Sequence, residues 1–191
     1  YDVSLHSATK YLNGHSDLVA GAVIGSTEHV GGVGSLLAIL GGTLEPHGCF
    51  LLDRGIKTLV LRVRQQNANA LALTKHLEAH PAVARVNYPG LEKHPDHARA
   101  RKLFEGFSGM FSFELTGGMD AAKRCIERLQ LPIHGPSLGG PETLVTRPAT
   151  SSHAGLTPQE RRELGIADGL IRVSVGIESV EDLIRDFDAA L

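Results

Sequence analysis

The chain has 191 residues, 42% hydrophobic and 21% charged, enough for one domain with a real core, or one domain plus a tail. Nineteen Lys and Arg against twenty-one Asp and Glu leave a formal charge of −2, which excludes the strong basic field of a nucleic-acid binder. No apolar run approaches the roughly 18 to 20 residues that span a bilayer, so no membrane partner is expected. Cys49 and Cys125 lie far apart and outside any Cys-x-x-Cys spacing, which argues against a disulfide scaffold or zinc ribbon and for a reducing cytoplasm. Tyr1 to Lys10 lack the basic-then-apolar pattern of a signal peptide. With no initiator Met and a strand at once, the chain reads as a piece of a longer polypeptide.

Short β-branched and apolar runs predict strands at Val3–Leu5 and Leu18–Ile24. A long helical stretch runs from about Pro46 to His80, with Leu51, Leu52, Ile56, Leu59, Val60 and Val63 among its apolar positions. Pro46 suits a helix start and Pro81 closes the stretch; Gly55 marks a bend or break, since Gly costs roughly 1 kcal/mol against Ala in a helix. Then come a strand at Val83–Asn87, a helix at about Pro95–Phe104, a strand at Met110–Leu115 and a helix at Asp120–Leu129. Asp120 is the expected N-cap there, after Gly117-Gly118. The pattern continues with a strand at Leu144–Thr146, a helix at Pro158–Leu164, a strand at Leu170–Val175 and a helix at Ser179–Leu191. Ser179 with Asp182 is a loose capping box, and Glu181 and Asp182 suit the positive helix end. Strands and helices in alternation argue for an α/β or α+β domain. The texture changes near Pro81–Pro95, and the remainder of the chain reads as a compact C-terminal unit.

Ten histidines invite a search for metal ligands. His94 and His97 are three apart and His76 and His80 four apart, but neither pair is followed by a third ligand. These read as solvated helix faces, and no metal is expected. Gly31-Gly32-Val33-Gly34 lacks the Lys-Ser/Thr of a P-loop and the Gly-x-Gly-x-x-Gly of a dinucleotide fold; it reads as a turn or a close helix packing. No Gly-x-Ser-x-Gly elbow occurs. The segment from Leu5 to Asp17 is different in kind. A strand runs into a turn with two hydroxyls, Ser7 and Thr9, just before Lys10. Hydroxyls and turn amides bind phosphate, and a neighbouring amine can bond an aldehyde cofactor.

Ser7-Ala8-Thr9-Lys10-Tyr11-Leu12-Asn13-Gly14-His15-Ser16-Asp17 resembles the cofactor-lysine signature of the Cys/Met-metabolism enzymes that use pyridoxal 5′-phosphate, the trans-sulfuration enzymes. The likeness continues through Leu44-Glu45-Pro46-His47, Arg54-Gly55-Ile56-Lys57-Thr58-Leu59, Asn87-Tyr88-Pro89-Gly90-Leu91 and Gly109-Met110-Phe111-Ser112-Phe113. It ends with Ser137-Leu138-Gly139-Gly140 and Leu170-Ile171-Arg172-Val173-Ser174-Val175-Gly176-Ile177-Glu178. The resemblance implies an α/β fold, the C-terminal half of the fold type I (aspartate-aminotransferase-like) architecture, with a mixed sheet plus helices in the small domain. Residues 1–60 would end the large cofactor domain, and 61–191 would form a linking helix and the small C-terminal domain.

The resemblance also implies roles. Lys10 would bond the cofactor and shuttle protons, Ser7 and Thr9 would hold its phosphate, Arg172 would clamp the substrate α-carboxylate, and Ser137 would sit beside both lysine and carboxylate. The implied activity is a carbon–sulfur lyase or transferase on sulfur amino acids, in a cytoplasmic homotetramer. Family members are about twice this length, so an N-terminal half carrying the ring-stacking aromatic residue and the Asp at the ring nitrogen is an expected partner.

Pro136 stands where many cystathionine γ-lyases and γ-synthases carry Glu, and Pro cannot read a distal amino group. That leaves room for methionine, homocysteine, cysteine or an unusual thioether. Leu138 stands where β-lyases tend to carry an aromatic residue, which tilts the reading toward γ-elimination or γ-replacement, with β-elimination kept as an alternative. From another class, a non-catalytic homologue serving as a binding or assembly partner is the rival.

Overall fold

Backbone pairing starts at once. β1 (Val3–Ser7) runs antiparallel to β2 (Gly21–Gly25), with Val3 opposite Gly25 and Ser7 opposite Gly21. The computed structural model describes residues 1–191 and divides into two units, Tyr1–Val60 and Leu61–Leu191. β2 begins three residues later than the apolar run from Leu18 predicts. Ala20 is taken by Thr9, whose N–H donates to the Ala20 carbonyl (3.1 Å) and whose Oγ1 accepts from the Ala20 N–H (3.0 Å).

The first unit continues with α1 (Thr27–Leu40) and α2 (Pro46–Ile56). The glycine run Gly31–Gly34 lies inside α1, a correction to the turn or close packing expected of it. A Cβ at Gly31, Gly32 or Gly34 would meet nothing within 4 Å. The helix is instead defined by its ends: Ser26 Oγ accepts from the His29 N–H, and Gly41, at φ 79°, donates to the Leu37 carbonyl. α2 is capped by Glu45, whose carboxylate accepts from the His47 and Gly48 N–H groups, with Pro46 in the first turn.

The expected break near Gly55 is real. α2 ends at Ile56, and the Lys57 and Thr58 N–H groups turn back to the Arg54 and Gly55 carbonyls (3.3 and 3.2 Å) before α3 (Leu59–Ala79) resumes. Gly55 is also where the backbones meet, since a Cβ there would fall 2.3 Å from the Asn13 carbonyl oxygen.

The second unit is a five-stranded sheet in the order β3 (Val83–Asn87), β4 (Met110–Leu115), β7 (Leu170–Ser174), β6 (Leu144–Thr146), β5 (Ile133–His134). All neighbours are antiparallel except β5 and β6. β4 buries alternate residues, Phe111, Phe113 and Leu115, as a half-buried strand should. Those rings pack with Ile171 and Val173 of β7, Leu73 and Leu77 of α3, Cys125 of α5 (Gly118–Arg128), and Leu183 and Phe187 of α7 (Val180–Ala190). The remaining helices, α4 (His97–Leu103) and α6 (Pro158–Glu163), are short.

α5 starts two residues before the expected N-cap. Gly117 occupies the cap, Gly118 takes φ 60°, and Asp120 falls in the first turn, where it still suits the helix dipole. α7 is capped as expected, by Ser179 Oγ accepting from the Asp182 N–H. No helix is long and apolar enough to cross a membrane.

Candidate active site

The candidate residues fall in two groups, one in each unit. In the first unit, β1 delivers Ser7 to a tight turn. The Lys10 N–H donates to the Ser7 carbonyl (3.2 Å), the Asn13 N–H to Ala8 (3.0 Å) and the Gly14 N–H to Lys10 (2.7 Å). Fully buried Ala8 anchors the turn, Lys10 is half-buried, and Ser7 is exposed. The loop beyond is wired to itself. Asn13 Nδ2 donates to Asp17 Oδ1 (2.8 Å), and His15 Nδ1 sits 2.8 Å from the Asn13 carbonyl. Its backbone in turn lies against Gly55 of α2. The lysine therefore sits on a turn held from both sides.

Thr9 carries a double duty. Its Oγ1 accepts from Ala20 N–H at 3.0 Å while its own proton points to the Ala20 carbonyl at 3.3 Å. That second bond is longer than the 2.5–3.0 Å usual for a hydroxyl donor, so the proton is available for a stronger acceptor without loss of the first bond. An exposed hydroxyl at Ser7, a redirectable one at Thr9 and a primary amine at Lys10 make a donor set that fits an aldehyde-bearing phosphate ester.

In the second unit, Arg172 sits on the central strand β7, between Ser112 of β4 and Thr146 of β6. Its terminal nitrogen donates to the Pro136 carbonyl (2.6 Å) and the Ser137 carbonyl (2.9 Å), which brings Ser137 and Arg172 together. Arg172 Nε is buried and has no partner. Burial pushes the guanidinium below its ordinary pKa, because low dielectric disfavours the charge.

Sequence reasoning assigns no role to the polar residues that fix this corner. Gln66 and Asn69 of α3 are buried and donate to the Gly140 carbonyl (2.8 Å) and to the Gly176 and Glu178 carbonyls (3.2 and 2.8 Å). The available signal is two amides three residues apart in an otherwise partly apolar helix.

The histidines have protein neighbours. His76 Nε2 pairs with Asp188 (2.6 Å), His94 Nε2 lies 3.0 Å from Asn87 Oδ1, and His97 stacks on Phe107. The His97 ring is therefore half-buried rather than solvated.

A family model described as Cys/Met metabolism PLP-dependent enzyme matches residues 1–191. The chain belongs to that family. It is 44% identical over 190 residues to cystathionine gamma-synthase 1, chloroplastic, of Arabidopsis thaliana, covering all of this chain and 34% of that protein. It is 48% identical over 191 residues to a cystathionine beta-lyase of Lactococcus lactis subsp. cremoris, covering 50% of that protein. A crystal structure of a cystathionine gamma-lyase from Micromonospora echinospora superposes with a TM-score of 0.94 at 40% identity, over all of this chain and 50% of that one. The α/β expectation and the likeness to PLP-dependent lyases and synthases of sulfur amino acids hold. The chain spans about half the length of the Lactococcus relative and a third of the Arabidopsis one.

Proposed function

We propose that this chain is the lysine-bearing half of a pyridoxal-phosphate carbon–sulfur lyase or transferase acting on sulfur amino acids. The observation that carries the reading is Arg172, a half-buried guanidinium bonded to two loop carbonyls with a buried Nε still open. An open buried cationic donor is costly until an anion completes it. The α-carboxylate of an amino acid matches the planar fork, with Ser137 alongside.

When bound, pyridoxal phosphate supplies an electron sink for the charge left at the substrate α-carbon. The hydroxyls of Ser7 and Thr9 would donate to its phosphate, and Lys10 Nζ would bond its aldehyde. Once released by the substrate amine, Lys10 Nζ would be placed to take the α-proton. For a γ-leaving group it would hand that proton on and then, as a free amine again, take a second from Cβ; for a β-leaving group the first removal would suffice. Pro136 offers the substrate side chain no charge, and Leu138 no ring, which favours γ-elimination or γ-replacement on substrates without a distal amino group.

Residues 1–60 are read as the end of the large cofactor domain and 61–191 as linking helix and small domain. A polypeptide corresponding to the N-terminal half of the relatives is the proposed partner. It would supply the ring-nitrogen acid and cover apolar surface that the first unit leaves open, such as Leu36, Ile39 and Leu40. The proposed setting is a cytoplasmic homotetramer.

The test uses the complete protein loaded with cofactor. Incubation with cystathionine, methionine, cysteine, or O-acylhomoserine plus thiol, followed by assay of keto acid, ammonia and thioether, should give turnover with at least one. Lys10→Ala should abolish the visible cofactor absorbance and lower turnover at least about 100-fold. Colourless protein that ignores added cofactor would instead support a non-catalytic assembly partner.

A further inference from the structure

The loop that carries Ser137 is tied to a distant part of the chain. Between β5 and β6, residues Pro136 to Thr143 are hydrogen-bonded to β7 and to the residues that follow it. Arg172 takes the carbonyls of Pro136 and Ser137. Two residues on, and so on the same face of β7, Ser174 Oγ accepts from the Gly139 N–H at 2.9 Å. The Ile177 N–H donates to the Pro141 carbonyl (2.8 Å).

The tightest knot is at Thr143, which is fully buried. The Glu178 carboxylate accepts from both the backbone N–H and the Oγ1–H of Thr143 (2.8 Å for the hydroxyl), while Thr143 Oγ1 accepts from the Gly176 N–H (2.9 Å). Gly176 must be Gly for this approach, because a Cβ there would lie 2.2 Å from the Pro141 carbonyl oxygen and 2.4 Å from Glu178 Oε2.

The consequence is geometric. Arg172 in the middle of β7 and Glu178, four residues past its end, stand six residues apart, and they grip opposite ends of the same loop. Glu178 sets where Thr143 lies, and the strand sets where Arg172 lies. The intervening Ser137–Gly140 stretch then spans two fixed points, further pinned at Gly139 and Gly140.

We propose that Glu178, acting through Thr143, is a positioning residue for the substrate-carboxylate clamp formed by Arg172 and Ser137. It touches no reacting atom; it fixes the loop carbonyls that aim the guanidinium and leave its Nε open. This inference rests on the reading of Arg172 and Ser137 as the carboxylate clamp.

The test measures glycine and glycinamide binding to the complete, cofactor-loaded protein, read from the visible spectrum of the cofactor. Both ligands offer an amine, but only glycine offers a carboxylate. Glu178→Gln and Thr143→Val should each weaken glycine about tenfold, equivalent to about 1.4 kcal/mol, with glycinamide changed by less than about twofold. Thr143→Ser keeps the hydroxyl and should hold glycine within about twofold of the parent. Equal weakening of both ligands would mean a merely structural role and overturn the proposal. Glycine binding unaltered by Glu178→Gln and Thr143→Val, while Arg172→Lys weakens it, would overturn the positioning role and spare the clamp. Glycine binding indifferent to Arg172→Lys as well would remove the clamp and the positioning role together.

Discussion

The two units bury their apolar residues in very different ways. From Leu61 onward a continuous core forms, in which Leu73, Phe113, Ile171, Leu183 and Phe187 are inaccessible to solvent. Before Leu61, Ala8 is the single hydrophobic residue so buried, although the segment carries two helices and a strand pair. Leu36, Ile39 and Leu40 of α1 and Phe50 of α2 are instead more than half exposed. The hydrophobic term that offsets chain entropy is therefore concentrated in the second unit. The first unit has its hydrogen bonds and caps in order but little apolar surface out of water, so its order around Lys10 rests on short-range polar wiring.

The largest stability effect belongs to the second unit. Phe187→Ala should cost about 3–5 kcal/mol, because the ring is fully buried and packs edge-on to Phe113 with centroids 6.1 Å apart. Urea unfolding monitored by circular dichroism checks this, and a loss below about 1 kcal/mol would break the contrast between the units. Next comes Gly55→Ala, expected to cost about 1–3 kcal/mol through overpacking. The new methyl meets the backbone of Asn13 at 2.3 Å, and backbone does not swing aside. The displaced loop begins three residues after Lys10, so cofactor occupancy of the complete protein should fall with stability.

What is legible in the sequence divides in the same way, between local and distant causes. β4 declares itself through strict alternation from Phe111 to Leu115, and the break after Gly55 through one glycine between two apolar runs. α1 is hidden because three glycines within four positions outweigh any propensity argument, and only its caps reveal it. β5 is two residues long and has no period to detect. Ser7, Thr9 and Lys10 can be singled out because they fall within four successive positions where β1 runs into a turn. Arg172 and Ser137 can be named only through resemblance, since nothing local ties residues 35 apart. The Glu178–Thr143 pairing is equally distant, so it is beyond spacing arguments and needs the folded loop.

The two cysteines provide a chemical version of the contrast. Cys125 in the core has its thiol pushed up to about 11, by burial first and then by the Asp186 carboxylate, whereas Cys49 is exposed. Thiolate is the reactive form, so a thiol reagent at pH 8 should label Cys49 alone in the folded protein. The effect on stability has a definite sign: a group whose folded pKa is raised favours folding below its unfolded value, about 8.5. That contribution fades as pH climbs through about 11. Cys125→Ala should flatten the loss of stability between about pH 8.5 and about 11, and an unaltered slope would place the alkaline sensitivity elsewhere.

The smallest expected effect is the one that tests what covers the first unit. In the 191-residue chain, Leu40 is 79% exposed, so little transfer free energy is at stake and Leu40→Ser should shift stability by less than about 0.5 kcal/mol. In the complete protein the outcome depends on whether the N-terminal half lies over α1. If it does, the leucine is fully buried and the same substitution removes about 1.5–3 kcal/mol, or more if a cavity remains. The difference between the two measurements, rather than either alone, reports the covered surface, because the helix propensity change is common to both. Equal small effects in both forms would mean that α1 faces water in the complete protein, and that the apolar surface of the first unit is not where the proposed N-terminal half binds.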